Sequence, residues 1–234
     1  MNTVQTMQTS LPGSNNYFVQ EAYKFLRANI QFCGPDIKVI LLTSCEENEG
    51  KTTTGMNLAK SFAEIGKKVL LLDADMRKSV LAGRNLNAQN YKGLSEYLSG
   101  LAELGEVIMK TSVADMYVLL AGKYPPNPSE LLNGRLFDSL LKVCRDNFDY
   151  VIIDTPPLGM VSDAAVIAPK CDGSIIIIGN ERLSSSRAVD VVGRLRNTGT
   201  PVLGAVRNNV KSSKKKYYSG KYYSGKSSKY YGKQ

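Results

Sequence analysis

Six short apolar runs punctuate the chain: KVILLTS at 38–44, KVLLLDAD at 68–75, MYVLLAG at 116–122, YVIIDTPP at 150–157, GSIIIIGN at 173–180 and PVLGAV at 201–206. They are rich in Val, Ile and Leu and nearly continuous, as strands are when both faces of their sheet are covered. Before and between them the pattern turns helical, which predicts helices at roughly 17–32, 51–65, 93–99, 129–147, 162–168 and 184–197. This alternation predicts a doubly wound α/β fold with a mostly parallel sheet, in which ligands sit at the carboxyl ends of the strands. In the first helix Tyr17, Phe18, Ala22, Phe25, Leu26, Ile30 and Phe32 form an apolar stripe, expected to pack on the core.

The pattern stops near residue 210. Residues 211–234 contain no aliphatic side chain, are broken by Gly and Ser, and repeat YYSGK at 217–221 and 222–226. Such a segment cannot bury enough surface to offset its ordering entropy, so a disordered tail is expected. No linker divides the remainder, giving one domain over 17–210 behind a flexible N-terminus at 1–16. The opening MNTVQTMQTS has neither the basic start nor the apolar core of a signal peptide. No apolar run approaches the ~20 residues that span a bilayer, so any membrane role is expected to come through a partner or the basic tail.

Charge separates tail from body. Of 30 basic and 21 acidic residues, the tail holds eight lysines and no acid, so the net +9 belongs almost wholly to it. The basic balance therefore describes the tail and not a folded surface. The chain has no histidine, which excludes Ser-His-Asp and Cys-His catalysis and histidine metal sites. Four scattered cysteines without a C-x-x-C pair point to neither a metal cage nor a disulfide framework, and a reducing, cytoplasmic setting is expected.

Chemistry gathers at three strand ends. After the first comes TSCEENEGKTTT, which closes as G-x-x-x-x-G-K-[ST] does, with Cys45 at the opening glycine position. A loop running through Glu49, Gly50, Lys51, Thr52 and Thr53 would curl backbone N–H groups around a β-phosphate. Lys51 would neutralise the outer phosphate oxygens, and Thr52 would offer its hydroxyl to Mg²⁺. Glu46, Glu47 and Glu49 stand close by, and are expected to weaken nucleotide binding or to turn outward. The second strand ends in DADMR, where Asp73, Asp75 and Arg77 share parity, and Arg77 is a further candidate contact to the nucleotide. Two carboxylates there could hold Mg²⁺ through water or take a proton from an attacking hydroxyl. Asp154 closes the fourth run, in the place of a carboxylate that binds Mg²⁺ in P-loop proteins. Taken singly, each acid also fits a solvated turn. All three ends together are P-loop NTPase-like.

These motifs, with EAYKFLRANIQF at 21–32, PPNPSELL at 125–132 and the tyrosine-rich tail, resemble the bacterial tyrosine kinases of capsular and exopolysaccharide synthesis, in their two-polypeptide Gram-positive form. The resemblance runs from about residue 17 to the end. It implies that Lys51 and Thr52 bind ATP and Mg²⁺, that Asp73 is the base toward a tyrosine hydroxyl, and that Asp75 and Asp154 organise the metal. It makes Tyr217, Tyr218, Tyr222, Tyr223, Tyr230 and Tyr231 the phosphoacceptors. It also implies a homo-oligomeric ring, a transmembrane adaptor of the polysaccharide co-polymerase type that recruits the kinase to the inner face of the membrane, and a cognate tyrosine phosphatase. The family's ring-assembly segment corresponds to Glu21, Lys24 and Arg27, with lysine replacing the middle arginine and its bidentate fork. Nucleic acid is not expected as a partner.

Other readings fit parts of the chain. A dimeric septum-positioning or plasmid-partition ATPase would carry a leading loop lysine where this chain has Glu46. A nucleotide-dependent scaffold would use the site without transfer. The tail alone would also suit nucleic acid or an anionic membrane.

Overall fold

The computed structural model describes residues 6–7, 16–81, 83, 91–179 and 185–210. The expectation for residues 211–234, including all six candidate acceptor tyrosines, lies outside the described residues, as does the end of the run at 173–180.

Eight strands form one sheet: β1 (Thr6–Met7), β2 (Val39–Ser44), β3 (Val69–Asp73), β4 (Ile108–Thr111), β5 (Met116–Leu119), β6 (Tyr150–Asp154), β7 (Gly173–Ile178) and β8 (Val202–Arg207). Their spatial order is β1-β4-β5-β3-β6-β2-β7-β8, and every pairing is parallel except β4 with β5. The helices are α1 (Tyr17–Phe32), α2 (Lys51–Ala63), α3 (Leu94–Leu98), α4 (Leu104–Val107), α5 (Pro128–Asn133), α6 (Arg135–Asn147), α7 (Asp163–Ile167) and α8 (Ser185–Asn197). The doubly wound, mostly parallel fold expected from the sequence is present.

Strand periodicity explains why both sheet faces are apolar. Ile40, Leu42, Val69, Leu71 and Ile152 face one core, which α2 closes with Met56, Leu58, Ala59 and Phe62. The alternate residues Val39, Leu41, Leu70, Leu72, Val151 and Ile153 face the other core, against Leu94, Phe137, Leu140, Ala164, Ile167 and Leu195. Successive side chains on a strand point to opposite faces, so a continuous apolar run feeds two layers at once.

Several expectations need correction. The run at 129–147 is two helices, because Gly134 adopts an extended conformation (φ −77°, ψ 159°) between α5 and α6. Residues 6 and 7 of the supposedly flexible N-terminus pair in parallel with β4, and Met7 is buried. The strand β4 escaped notice because IMKT is too short and polar to stand out. The α1 stripe does not pack as expected. Phe18, Phe25 and Phe32 are 75%, 69% and 85% exposed, and Ile30 is the buried residue of that helix. Their spacing of seven puts the three rings on one side, while Tyr23, Leu26 and Ile30 meet the core on another. Among the described residues no helix is long and apolar enough to cross a membrane.

Candidate active site

The carboxyl ends of β2, β3, β6 and β8 surround a cleft of about 490 Å³, floored by the loop between β2 and α2. Two residues of that loop take left-handed conformations, Asn48 (φ 60°) and Gly50 (φ 87°). Gly50 starts α2 with no side-chain cap, and a Cβ there would lie 2.0 Å from Asn208 Nδ2. Gly50, Lys51, Thr52 and Thr53 line the cleft, so the uncapped helix start presents an anion site.

The three loop glutamates do not behave alike. Glu46 pairs with Arg187, and Glu47 pairs with Lys78 at 2.7 Å. Glu49 turns inward and is 1% exposed. Its Oε2 accepts from the backbone N–H groups of Cys45 (2.8 Å) and Glu46 (2.9 Å), and its Oε1 accepts from Gly179 N–H (3.2 Å). Asn208 Nδ2 donates to the Glu49 carbonyl at 3.0 Å. Of the three, Glu49 is the one that does not turn outward: it staples the two ends of its own loop to the end of β7. The adjacent Cys45 is buried, and burial pushes its thiol up to about 11.

Beyond the loop stand the acids. Asp73 and Asp154 are Cα partners in the parallel register of β3 and β6. Thr52 donates from its hydroxyl to Asp154 Oδ2 at 2.5 Å, while Asp154 Oδ1 is buried with no hydrogen-bond partner. Burial pushes the Asp154 carboxyl up to about 6, against the opposing pull of the Thr52 bond and the Lys51 charge. Burial and then the Asp154 charge hold Asp73 well above the usual carboxylate range. An orphaned carboxylate oxygen beside a threonine hydroxyl fits Mg²⁺, which keeps several waters and needs only one or two protein carboxylates.

Asp73 and Asp75 do not share an environment. Asp73 is 1% exposed, and its oxygens accept from Asp75 N–H (3.0 Å) and the Ser79 hydroxyl (2.5 Å). Asp75 lines the cleft, with its Oδ1 accepting from the backbone N–H groups of Arg77 (3.2 Å) and Lys78 (2.9 Å). Arg77 also lines the cleft, but its Nε and Nη2 grip Asp163 at 2.7 and 3.0 Å, and Nη2 reaches Ser129 Oγ at 3.1 Å.

Lys24 pairs with Glu21 at 2.7 Å within α1, and Arg27 donates to the carbonyl and hydroxyl oxygens of Ser61 on α2. These candidate assembly residues thus have partners inside the chain. Sequence reasoning missed Asn208 and Asn209, which line the cleft from the end of β8. The strand-end rule would have found them. It also missed Asp163 and Ser129, whose role is visible only across 86 and 52 residues of separation from Arg77.

Comparison with known proteins gives consistent relatives. A family model described as an AAA domain matches residues 37–198. The tyrosine-protein kinase CpsD of Streptococcus agalactiae is 41% identical over 194 residues, covering 83% of this chain and 85% of that protein. Among solved structures, the kinase domain of the Escherichia coli tyrosine kinase ETK superposes with a TM-score of 0.81 at 32% identity, over 94% of this chain and 88% of that one. The chimerical protein CapA2B2 superposes with a TM-score of 0.80 at 31% identity, over 88% and 93%.

Proposed function

The chain belongs to the bacterial tyrosine-protein kinases, and from that membership we propose that its cleft transfers the γ-phosphoryl group of ATP to tyrosines in its own 217–231 segment. The observation that carries this reading is the convergence of an uncapped helix start, the Thr52–Asp154 pair and the cleft-facing Asp75 on one cavity.

The loop residues 49–53 cradle the phosphates, and Lys51 sets its charge against the β and γ oxygens. Thr52 and Asp154 would hold Mg²⁺, and Asp75 lines the same cleft as Thr52. Bound there, the metal neutralises charge that develops on the phosphates. The phenol oxygen attacks the γ-phosphorus, forming the new O–P bond. The bond to the β–γ bridging oxygen breaks, and its electron pair leaves with ADP. The phenol proton passes to a carboxylate. Asp75 is better placed for this than Asp73, since Asp75 lines the cleft while both oxygens of Asp73 are already engaged. Asp73 then acts through the Asp75 backbone that it holds.

Any flexible chain of 24 residues would reach roughly 25–30 Å, against a radius of gyration of roughly 16–17 Å for a compact domain of this size. That reach allows transfer between subunits of a homo-oligomeric ring. Each phosphate adds about −1.5 to −2 charges, so six would take the tail from +8 to about −1 to −4. We place the enzyme in capsular or exopolysaccharide synthesis and export, held at the inner face of the membrane by a transmembrane adaptor and reset by a tyrosine phosphatase. Replacing all six tail tyrosines by Phe tests the acceptor assignment. Phosphotyrosine should vanish while ATP binding persists, and phosphate persisting on other tyrosines would sink it.

A further inference from the structure

Strand order sets which side of the cleft meets the outer phosphates. The phosphate loop follows β2, and the Thr52–Asp154 pair that would hold Mg²⁺ stands toward β6, with β3 next beyond it. A metal at that pair bridges β- and γ-phosphate oxygens, so the transferring group lies toward the end of β3. Arg77, four residues past the last residue of β3, lines the cleft there.

Its guanidinium is clamped from behind. Asp163, the first residue of α7, has 0% of its side chain exposed, and its carboxylate accepts from Arg77 Nε at 2.7 Å and from Nη2 at 3.0 Å. Ser129 of α5 completes a closed ring of bonds: its hydroxyl donates to Asp163 Oδ1 and accepts from Arg77 Nη2 at 3.1 Å. A carboxylate buried this fully is costly unless a cation and hydrogen bonds compensate it, so Asp163 and Arg77 are fixed to one another. The clamp therefore removes most of the rotamer freedom that an arginine on a cleft wall would otherwise keep.

A guanidinium carries five N–H donors in a planar fork. The clamp occupies the Nε and Nη2 edge, while Arg77 remains 33% exposed and part of the cleft wall. The donors on Nη1 point away from that edge. The Asp163 bond also raises the guanidinium further above its already high pKa, so its charge is permanent.

We propose that Arg77 is a catalytic donor to the transferring phosphoryl group through Nη1, and that Asp163 and Ser129 are the positioning residues that aim it; the assignment rests on the kinase reading above. Negative charge spreads over the three equatorial oxygens as the bond to the tyrosine oxygen forms and the bond to ADP breaks. A donor already in place needs no reorganisation at that moment, so it favours the transition state over the bound ground state. Asp75 and Arg77 thus divide the work from one wall, Asp75 taking the proton and Arg77 the charge.

The test is binding of N-methylanthraniloyl-ADP to the full-length chain with Mg²⁺, with and without aluminium fluoride, which stands in for a phosphoryl group in transit. The wild type should bind the fluoride complex tenfold or more tighter than the nucleotide alone. Arg77→Lys, which keeps the charge and loses the fork, and Asp163→Asn should each abolish that preference while binding the plain nucleotide as the wild type does. Ser129→Ala, the mildest change, should reduce the preference about threefold, and the Arg77→Lys/Asp163→Asn double variant should be no worse than either single one. A wild type without the preference would overturn the proposal, as would a preference that survives Asp163→Asn or Arg77→Lys while the melting temperature falls, the mark of a purely structural ion pair. Supplying ATP separates the two readings: an Arg77-dependent preference in a wild type that gains no phosphotyrosine would sink the kinase reading and leave the clamp standing.

Discussion

Asp73 and Asp154 end adjacent parallel strands in register, and both carboxyls are buried. Two acids desolvated side by side are an arrangement that a cation relieves and that its absence strains. The strain should be measurable without ligand. Asp154→Asn should raise the melting temperature of the nucleotide-free protein by about 2–4 °C while weakening Mg²⁺-dependent ATP binding. Calorimetry with and without Mg²⁺·ATP checks both. A lower melting temperature in the ligand-free variant would show that the pair is not a source of strain.

Glu49 gives a second prediction. Its carboxylate accepts three backbone N–H groups from Cys45, Glu46 and Gly179. Removing it orphans buried donors at a cost of about 1–3 kcal/mol and loosens the loop. Glu49→Ala should therefore lower the melting temperature and weaken ATP binding about tenfold or more, with Glu49→Gln intermediate. Tighter ATP binding by Glu49→Gln would mean that the charge opposes the phosphates after all.

What was legible in the sequence followed from local pattern. The β-branched runs gave six of the strands, and EGKTTT and DADMR pointed to Lys51 and Asp75, which line one cleft, as IIDTPP pointed to Asp154, which is bonded to the cleft residue Thr52. Long-range chemistry was not legible. Glu49 reads as a charge facing the phosphates until the end of β7 is seen beside it, and nothing in DADMR shows that Arg77 is gripped by Asp163. Exposure of the α1 phenylalanines was hidden for another reason. Helical spacing shows which side chains share a side, and which side meets the core depends on how the helix docks on α2.

Arg77 and Asp163 yield a pH dependence. Burial alone would raise the Asp163 carboxyl, but the hydrogen bonds from Arg77 and Ser129 and the Arg77 charge outweigh it and hold the group below its usual value. With the folded-state value below that of the unfolded chain, about 3.9, the stabilisation is present above that pH and is lost as pH falls through the folded-state value. Arg77→Gln should thus cost about 2 kcal/mol near neutrality, and the gap to wild type should close below about pH 4. Urea titrations from pH 7 to pH 3 check this. A gap that widens toward acid would contradict it.

The α1 phenylalanines should be dispensable for the monomer's stability. Phe18→Ser, Phe25→Ser and Phe32→Ser should each shift unfolding free energy by no more than about 0.5 kcal/mol, whereas Ile30→Ala should cost about 2–4 kcal/mol. Chemical denaturation of the four variants tests the docking of α1. A large loss from any of the three serine variants would place that ring in the core.

The central claim is tested most directly by intact mass and peptide mapping of the wild type and Lys51→Met, each incubated with ATP and Mg²⁺ and a candidate adaptor segment. The account predicts additions of phosphate on the wild type confined to tyrosines 217, 218, 222, 223, 230 and 231, and none on Lys51→Met. ATP bound or hydrolysed by the wild type with no phosphate on the chain would contradict it, and would leave a nucleotide-dependent scaffold or ATPase in its place.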